Sequence, residues 1–311
     1  MLAEVCHQER AVQTLRRVLD GSLTSPLLLW GVEGVGRKHS VLCLMRELLC
    51  TGEKLAGCEC SSCYQVTRGL HPDIVTVGSD VDTIGIEAVR ELTDRSRLSP
   101  SASDFTCIIV DGADRFASVE AADALLKTLE EPPPRVRLFL LAEDRSEVSA
   151  TIRSRCIPQR YKELPESFIQ GRMGSSGNAL VLTRMAEGSL GRALRYANAG
   201  KLHVRDSMLK LLQAVARRDT PLVFSLVDGM HGEVELGLRF LCQLVHDLFM
   251  VQSAPSRVIN LDVSAALNEL SSRLPLGVRY EIFSRLNAVQ VSSARLALPF
   301  HLKTILSSNV V

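Results

Sequence analysis

"GVEGVGRKHS", residues 31–40, decides the fold. It follows the short apolar run "PLLLWG" (26–31), which reads as a buried strand closed by glycine, and it opens "KHSVLCLMRELLC", which reads as a helix. Strand, glycine loop and helix in this order is what a phosphate-cradling loop requires, because the loop amides and the helix N-terminus face the anion together. The standard form is G-x-x-x-x-G-K-[ST], in which lysine neutralises the outer phosphates and the hydroxyl ligates magnesium. Counted from Gly31, with Gly34 between, the second glycine is Gly36, the lysine slot holds Arg37 and the hydroxyl slot holds Lys38. Sliding the frame gives Lys38 the lysine role but lengthens the loop, and His39 then follows. Neither frame supplies an oxygen for magnesium, so hydrolysis is expected to be impaired, although backbone amides could still hold phosphate. A plain glycine-rich strand-to-helix turn explains the same residues.

Outward from the loop, "DIVTVG", "FTCIIVDGAD" and "VRLFLLAED" read as further strands. The stretches around "HQERAVQTLRRVLDGS", "IGIEAVRELTDRSRLSP" and "SVEAADALLKTLEEPPP" read as helices, the last stopped by prolines. The alternation predicts an α/β domain over 1–161, a parallel sheet with helices on both faces. Two or three short helices are expected over 162–202, and an all-helical domain over 203–311. "VELGLRFLCQLVHDLFMV" is apolar on more than one face, for packing in its own domain or on a neighbour.

A strand ending in an acid is the second half of a nucleotide site. "IIVDGAD" supplies Asp111, but Gly112 stands where a water-activating glutamate would follow, and glycine cannot polarise water. A strand ending at a D-G turn is the plainer reading of the same residues.

The 311 residues carry 36 Lys and Arg against 35 Asp and Glu, so bulk charge does not announce a nucleic-acid binder. No apolar run reaches membrane-spanning length, and the first residues do not form a signal peptide, so a cytoplasmic protein is expected. Of nine cysteines, Cys50, Cys58, Cys60 and Cys63 crowd into 14 positions. Four thiolates complete a tetrahedral zinc shell with no open position, which makes the metal structural. A reduced thiol-rich loop or a redox pair is the alternative. Cys43, Cys107 and Cys242 lie in apolar runs and read as core. His71, before Pro72, reads as a packing or capping residue.

"DGADRF", "AADALLKTLEEPPP" and "TIRSRC" occur in order after the altered loop and the cysteine cluster. Together they resemble the bacterial DNA polymerase III clamp-loader subunits, an AAA+ family, and within it the delta-prime type rather than the tau/gamma type. The likeness covers residues 5–200. It implies that Arg155 reaches in trans toward ATP and Mg2+ on a neighbouring subunit, with Ser154 and Cys156 packing the turn that aims it. A rigid, always charged guanidinium suits that task, though a surface arginine after a helix explains "SRC" alone. The likeness also makes Arg192 in "GSLGRAL" a second-sensor residue and puts Glu143 where Thr or Asn is usual. An acid there would repel a γ-phosphate. The cysteine spacing is one residue shorter than the family's. The partners implied are tau/gamma and delta subunits in a hetero-pentamer, with the sliding clamp and primer-template DNA reached through the assembly. DNA contact, if made, would be to backbone phosphates. The competing readings are an ATP-hydrolysing tau/gamma-like subunit and a P-loop small-molecule kinase.

Overall fold

The structure is a computed structural model, and it describes residues 1–53, 57–79, 81–174, 177–198, 200–230 and 233–291, the last five of these by backbone only. It divides into two compact units, Met1–Pro165 with Ser189–Gly191, and Glu166–Gly188 with Arg192–Val311.

In the first unit the order is α1 (Glu9–Leu19), β1 (Leu27–Trp30), α2 (Arg37–Leu48), α3 (Ser61–Arg68), β2 (Ile74–Val77), α4 (Ile86–Ser96), β3 (Thr106–Asp111), α5 (Val119–Asp123), α6 (Leu126–Glu130), β4 (Val136–Ala142), α7 (Ala150–Arg153) and β5 (Ile157–Arg160). The strands form one sheet in the order β2-β3-β4-β1-β5, with all neighbours parallel. Parallel strands need crossover helices, and these cover both faces. Side-chain alternation divides each central strand between two cores. Leu27, Leu29, Ile109, Phe139 and Leu141 pack with Leu15, Leu44 and Met45 from α1 and α2. Leu28, Ile108, Val110, Leu138 and Leu140 pack on the other face with Leu92, Leu125, Leu129 and Ile152.

Two differences from the sequence expectation have a direct physical cause. The stretch "SVEAADALLKTLEE" is two short helices rather than one. Leu125 and Thr128 donate to Ala122 O and Leu125 O at 3.2 and 3.1 Å, an i→i+3 turn that breaks the ladder and sends Leu125 into the core. The fifth strand, β5, carries Pro158, Gln159 and Arg160, and its residues are mostly exposed because it lies at the sheet edge. Proline and polar residues belong on an edge strand and hide it from a search for apolar runs.

The second unit contains α8 (Glu166–Met173), α9 (Ala179–Met185), α10 (Leu190–Asn198, entering at Arg192), α11 (Leu202–Ala216), α12 (Thr220–Asp228), α13 (Val234–Ser253), α14 (Ser264–Arg273) and α15 (Leu276–Val291). Among the described residues a core runs through α9, α11, α12, α13, α14 and α15. α13 buries Leu238, Phe240, Leu241, Leu244, Val245 and Leu248, so its several apolar faces are used inside the unit. The fully buried Asp247 is satisfied by Ile259 N, Asn260 N and Asn260 Nδ2, each donating at 2.8 Å. Among the described residues no helix is long and apolar enough to cross a membrane.

Candidate functional site: an altered phosphate loop, a masked arginine and a four-cysteine cluster

The parallel register sets Trp30 beside Ala142 and Asp111 beside Leu141. The loop after β1 therefore opens at the same edge as Asp111 and Glu143, at the carboxyl ends of the strands. β1 sits between β4 and β5 there, a switch in strand order where open α/β sheets bind ligands. Gly31, Gly34 and Gly36 have φ of 149°, 79° and 102°. A Cβ on Gly31 would lie 2.4 Å from Tyr161 O, so the turn needs glycine there for space as well as for conformation. Within the same unit, Gly191 N donates to Gly34 O at 3.0 Å and Ser189 Oγ to Glu33 O at 2.6 Å. A Cβ on Gly191 would be 2.8 Å from Gly34 Cα, so this segment lies directly on the loop.

Arg37, in the lysine slot, turns away from the loop mouth. Its side chain is buried and Nη1 donates to Ala142 O, the carbonyl that also takes Gly31 N–H at 3.2 Å. Burial pulls its pKa below the usual arginine value, partly offset by Glu143, Asp114, Asp111 and Glu33. The guanidinium ties the end of β4 to the start of α2.

Lys38, in the hydroxyl slot, reaches Asp111. Nζ lies 3.3 Å from Asp111 Oδ2 and donates to Ser79 Oγ at 2.6 Å, and Ser79 Oγ donates to Asp111 Oδ2 at 3.2 Å. In an intact loop a divalent cation bridges the hydroxyl slot and this acid. Here an ammonium group does so, and the residues present do not fit magnesium.

Gly112, with φ of 113°, lies under Arg115. A Cβ at 112 would be 2.6 Å from the Arg115 guanidinium, which donates to Asp111 O at 3.2 Å, Gly78 O at 3.4 Å and Val81 O at 2.8 Å. The place of the glutamate is thus filled by a cation in a backbone conformation that disfavours a side chain. Asp114 Oδ2 accepts from Glu143 N at 2.6 Å, which fixes the backbone just after β4, and the Glu143 residue is exposed.

Arg155 stands apart from these groups. Nε donates to Glu130 Oε1 at 2.7 Å, and Nη1 donates to Thr151 O at 2.9 Å and Ser154 Oγ at 3.2 Å. Cys156 is buried beneath it in the β3–β4 core. In the second unit Arg192 is buried, with Nη1 3.8 Å from Glu187 Oε2.

Cys50, Cys58, Cys60 and Cys63 place their sulfurs within 4.8 Å of one another. Cys50 Sγ is 3.6 Å from Cys58 Sγ and 3.9 Å from Cys60 Sγ. Tetrahedral zinc thiolates, with Zn–S near 2.3 Å, set sulfurs about 3.8 Å apart, so the four cysteines fit a closed zinc shell despite the shortened spacing. Backbone and hydroxyl donors from Cys63 and Thr51 lower the Cys60 thiol to about 5, while burial and the neighbouring Cys60 and Cys50 sulfurs push Cys63 up to about 12. Gly52 lets the chain pass close to the cluster, since a Cβ there would be 2.9 Å from Cys58 Sγ. His71 takes no part. It is buried and its Nδ1 accepts from Asp73 N at 3.2 Å, capping the turn. Cys43 and Cys107 are buried and Cys242 partly so, and burial raises the pKa of all three.

Three partners were not singled out from sequence: Ser79, Arg115 and Glu130. Each lies within or beside a motif, but only the folded backbone brings Ser79 to a residue 32 positions away.

Residues 7–165 match the family described as DNA polymerase III, delta subunit. The chain is 30% identical over 260 residues to DNA polymerase III subunit delta′ of Escherichia coli, covering 80% of this chain and 76% of that one. It is 28% identical over 311 residues to subunit tau of Salmonella typhimurium, covering 88% of this chain but spanning 48% of that longer protein. In fold it is similar to the crystal structure of a DNA polymerase III gamma-subunit-related protein from Thermotoga maritima, with TM-score 0.51, 17% identity, and 96% and 98% of the two chains covered. With the loop, the "DGADRF" and "SRC" segments and the cysteine cluster on that fold, the chain belongs to the DNA polymerase III delta-subunit family, as a clamp-loader subunit of the delta-prime and tau/gamma kind.

Proposed function

We propose that the chain is a delta-prime-like, non-hydrolysing subunit of the clamp loader. It would sit in a hetero-pentamer with tau/gamma and delta subunits in the cytoplasm and offer Arg155 in trans to ATP and Mg2+ on a neighbour. The assembly would then place a sliding clamp on primer-template DNA. The observation that carries this reading is the ion pair of Lys38 with Asp111. Phosphoryl transfer depends on metal positioning and charge neutralisation. A lysine on the metal's carboxylate and Arg115 over Gly112 leave this chain without either element. Arg155 retains the charge and planarity that a neighbour's transition state needs.

Two further assignments accompany this reading. Residues 162–202 act as a lid-type segment with Arg192 stabilising it, and residues 203–311 act as the oligomerising collar. Cys50, Cys58, Cys60 and Cys63 hold a structural Zn2+, which cross-links the loop before α3 to the end of α2.

The test is ATP turnover. The purified chain alone is expected to show none above background. In the complete assembly, Arg155→Ala is expected to lower turnover at the site it serves by on the order of 10³-fold. Motor-like turnover by the isolated chain would replace this reading with the tau/gamma-like one.

A further inference from the structure

A guanidinium carries five N–H donors. In Arg155 four of them are engaged inside the chain. Nε and one Nη2 hydrogen go to the same oxygen, Glu130 Oε1, and the two Nη1 hydrogens go to Thr151 O and Ser154 Oγ. One donor is left. Paired recognition of a phosphate needs two parallel donors, and the edge that would supply them, Nε with Nη2, is the one Glu130 covers. The carboxylate also cancels the charge that a finger brings to a transition state.

Sequence and fold hold Glu130 in that place. It is the last residue of α6, and Glu131 and Pro132–Pro134 follow at once, so the chain cannot continue as helix and the backbone there has little freedom. The Nη1 contacts are to residues one and four positions back in the sequence, so they can persist while the outer edge changes partner. The pair is also weak enough to open. The two side chains are 33% and 50% exposed, and exposed ion pairs contribute little. A neighbour's triphosphate, with several negative charges, competes well against one carboxylate in water.

We propose that Glu130 is a latch: it masks the Arg155 guanidinium in the chain on its own and releases it when a neighbouring nucleotide competes, so that activation in trans waits for a correctly seated partner. This rests on Arg155 acting as a trans finger.

The experiment uses the complete loader, assembled with this chain as wild type, Glu130→Gln, Glu130→Ala, Arg155→Ala, or Glu130→Gln with Arg155→Ala. ATP turnover is read with and without clamp and primer-template DNA. Glu130→Gln keeps the shape and removes the charge, so it carries the test if Glu130→Ala folds poorly. The latch predicts that both Glu130 variants raise turnover in the absence of DNA, by about two- to fivefold for an exposed pair. It also predicts that the double variant falls to the Arg155→Ala level, which a merely structural effect at Glu130 would not produce. If Arg155→Ala lowers turnover while Glu130→Gln leaves the DNA-free rate unchanged or lower, the latch is wrong, and a lower rate makes Glu130 an aiming residue instead. If Arg155→Ala changes nothing, the finger reading itself fails.

Discussion

Lys38 puts an ammonium group on the carboxylate at the end of β3 while the strand–loop–helix fold around it is kept. It keeps Asp111 neutralised, so the carboxylate at the end of β3 is not left bare beside Ser79. The thermal midpoint of the wild-type chain should therefore not respond to ATP with Mg2+. Arg37→Lys with Lys38→Thr should gain a magnesium-dependent rise of about 2–4 °C at saturating nucleotide, read by differential scanning fluorimetry. A rise of that size in wild type would show that the loop still loads a metal nucleotide. Gly31 and Gly36 offer a second comparison. Gly31→Ala meets both a left-handed φ and the Tyr161 carbonyl, and should cost about 2–4 kcal/mol in denaturant unfolding. Gly36→Ala meets only the φ, with nothing near its Cβ, and should cost about 1–2 kcal/mol. The residues of the loop were legible in the sequence because a motif fixes types at fixed offsets. The inward turn of Arg37 was not, since its partner is a backbone carbonyl 105 positions away that no side-chain pattern reports.

Among the elements, the three central strands were readable because each is a run of β-branched or aliphatic residues buried on both faces. β5 is not legible because an edge strand has no such need, and α3 is not because its eight residues bury only Cys63 and Val66, too few for a helical period to show. The turn between α3 and β2 is held by buried charge rather than by apolar packing. Asp73 accepts from Ser101 N at 2.6 Å, Ala102 N at 2.9 Å and Ser103 Oγ at 2.8 Å. Burial raises its pKa, but these donors with His71 outweigh it, so the folded value lies below that of an ordinary aspartate. A depressed carboxylate pKa contributes stability above the unfolded pKa, near 3.9, and that contribution is lost as pH falls through the folded value. His71 is lowered by burial, so protonating it also disfavours the fold, below about pH 6.5. Asp73→Asn should cost about 1–3 kcal/mol at pH 7 and flatten the loss of stability below pH 4, measured by urea unfolding across pH. The cysteine element invites a direct assay. Metal analysis should find about one zinc per chain, and Cys63→Ser or a strong chelator should remove it and lower the thermal midpoint by about 5 °C or more. Cys107→Ser should leave the zinc content unchanged.

Across the whole molecule, two units each enclose their own apolar core: a sheet between two helical layers in one, helices around α13 in the other. A fragment of residues 1–165 is therefore expected to unfold cooperatively in circular dichroism and to retain the zinc content of the full chain. The α/β class was plain from the order of strands and helices. Which short helices assort with which core was not, because α8 to α10 are too brief for their periodicity to name a partner. The ammonium on Asp111 has an evolutionary consequence. If the chain does not hydrolyse ATP, as proposed, catalysis would need Lys38 replaced by a hydroxyl residue, and also Arg115 moved aside and Gly112 reshaped to admit a carboxylate. The first step alone strips Asp111 of its counter-charge and the others alone accomplish nothing, so no single-step path climbs back. Under the proposed non-hydrolysing role, descendants of this gene would keep depending on a partner that can cleave ATP.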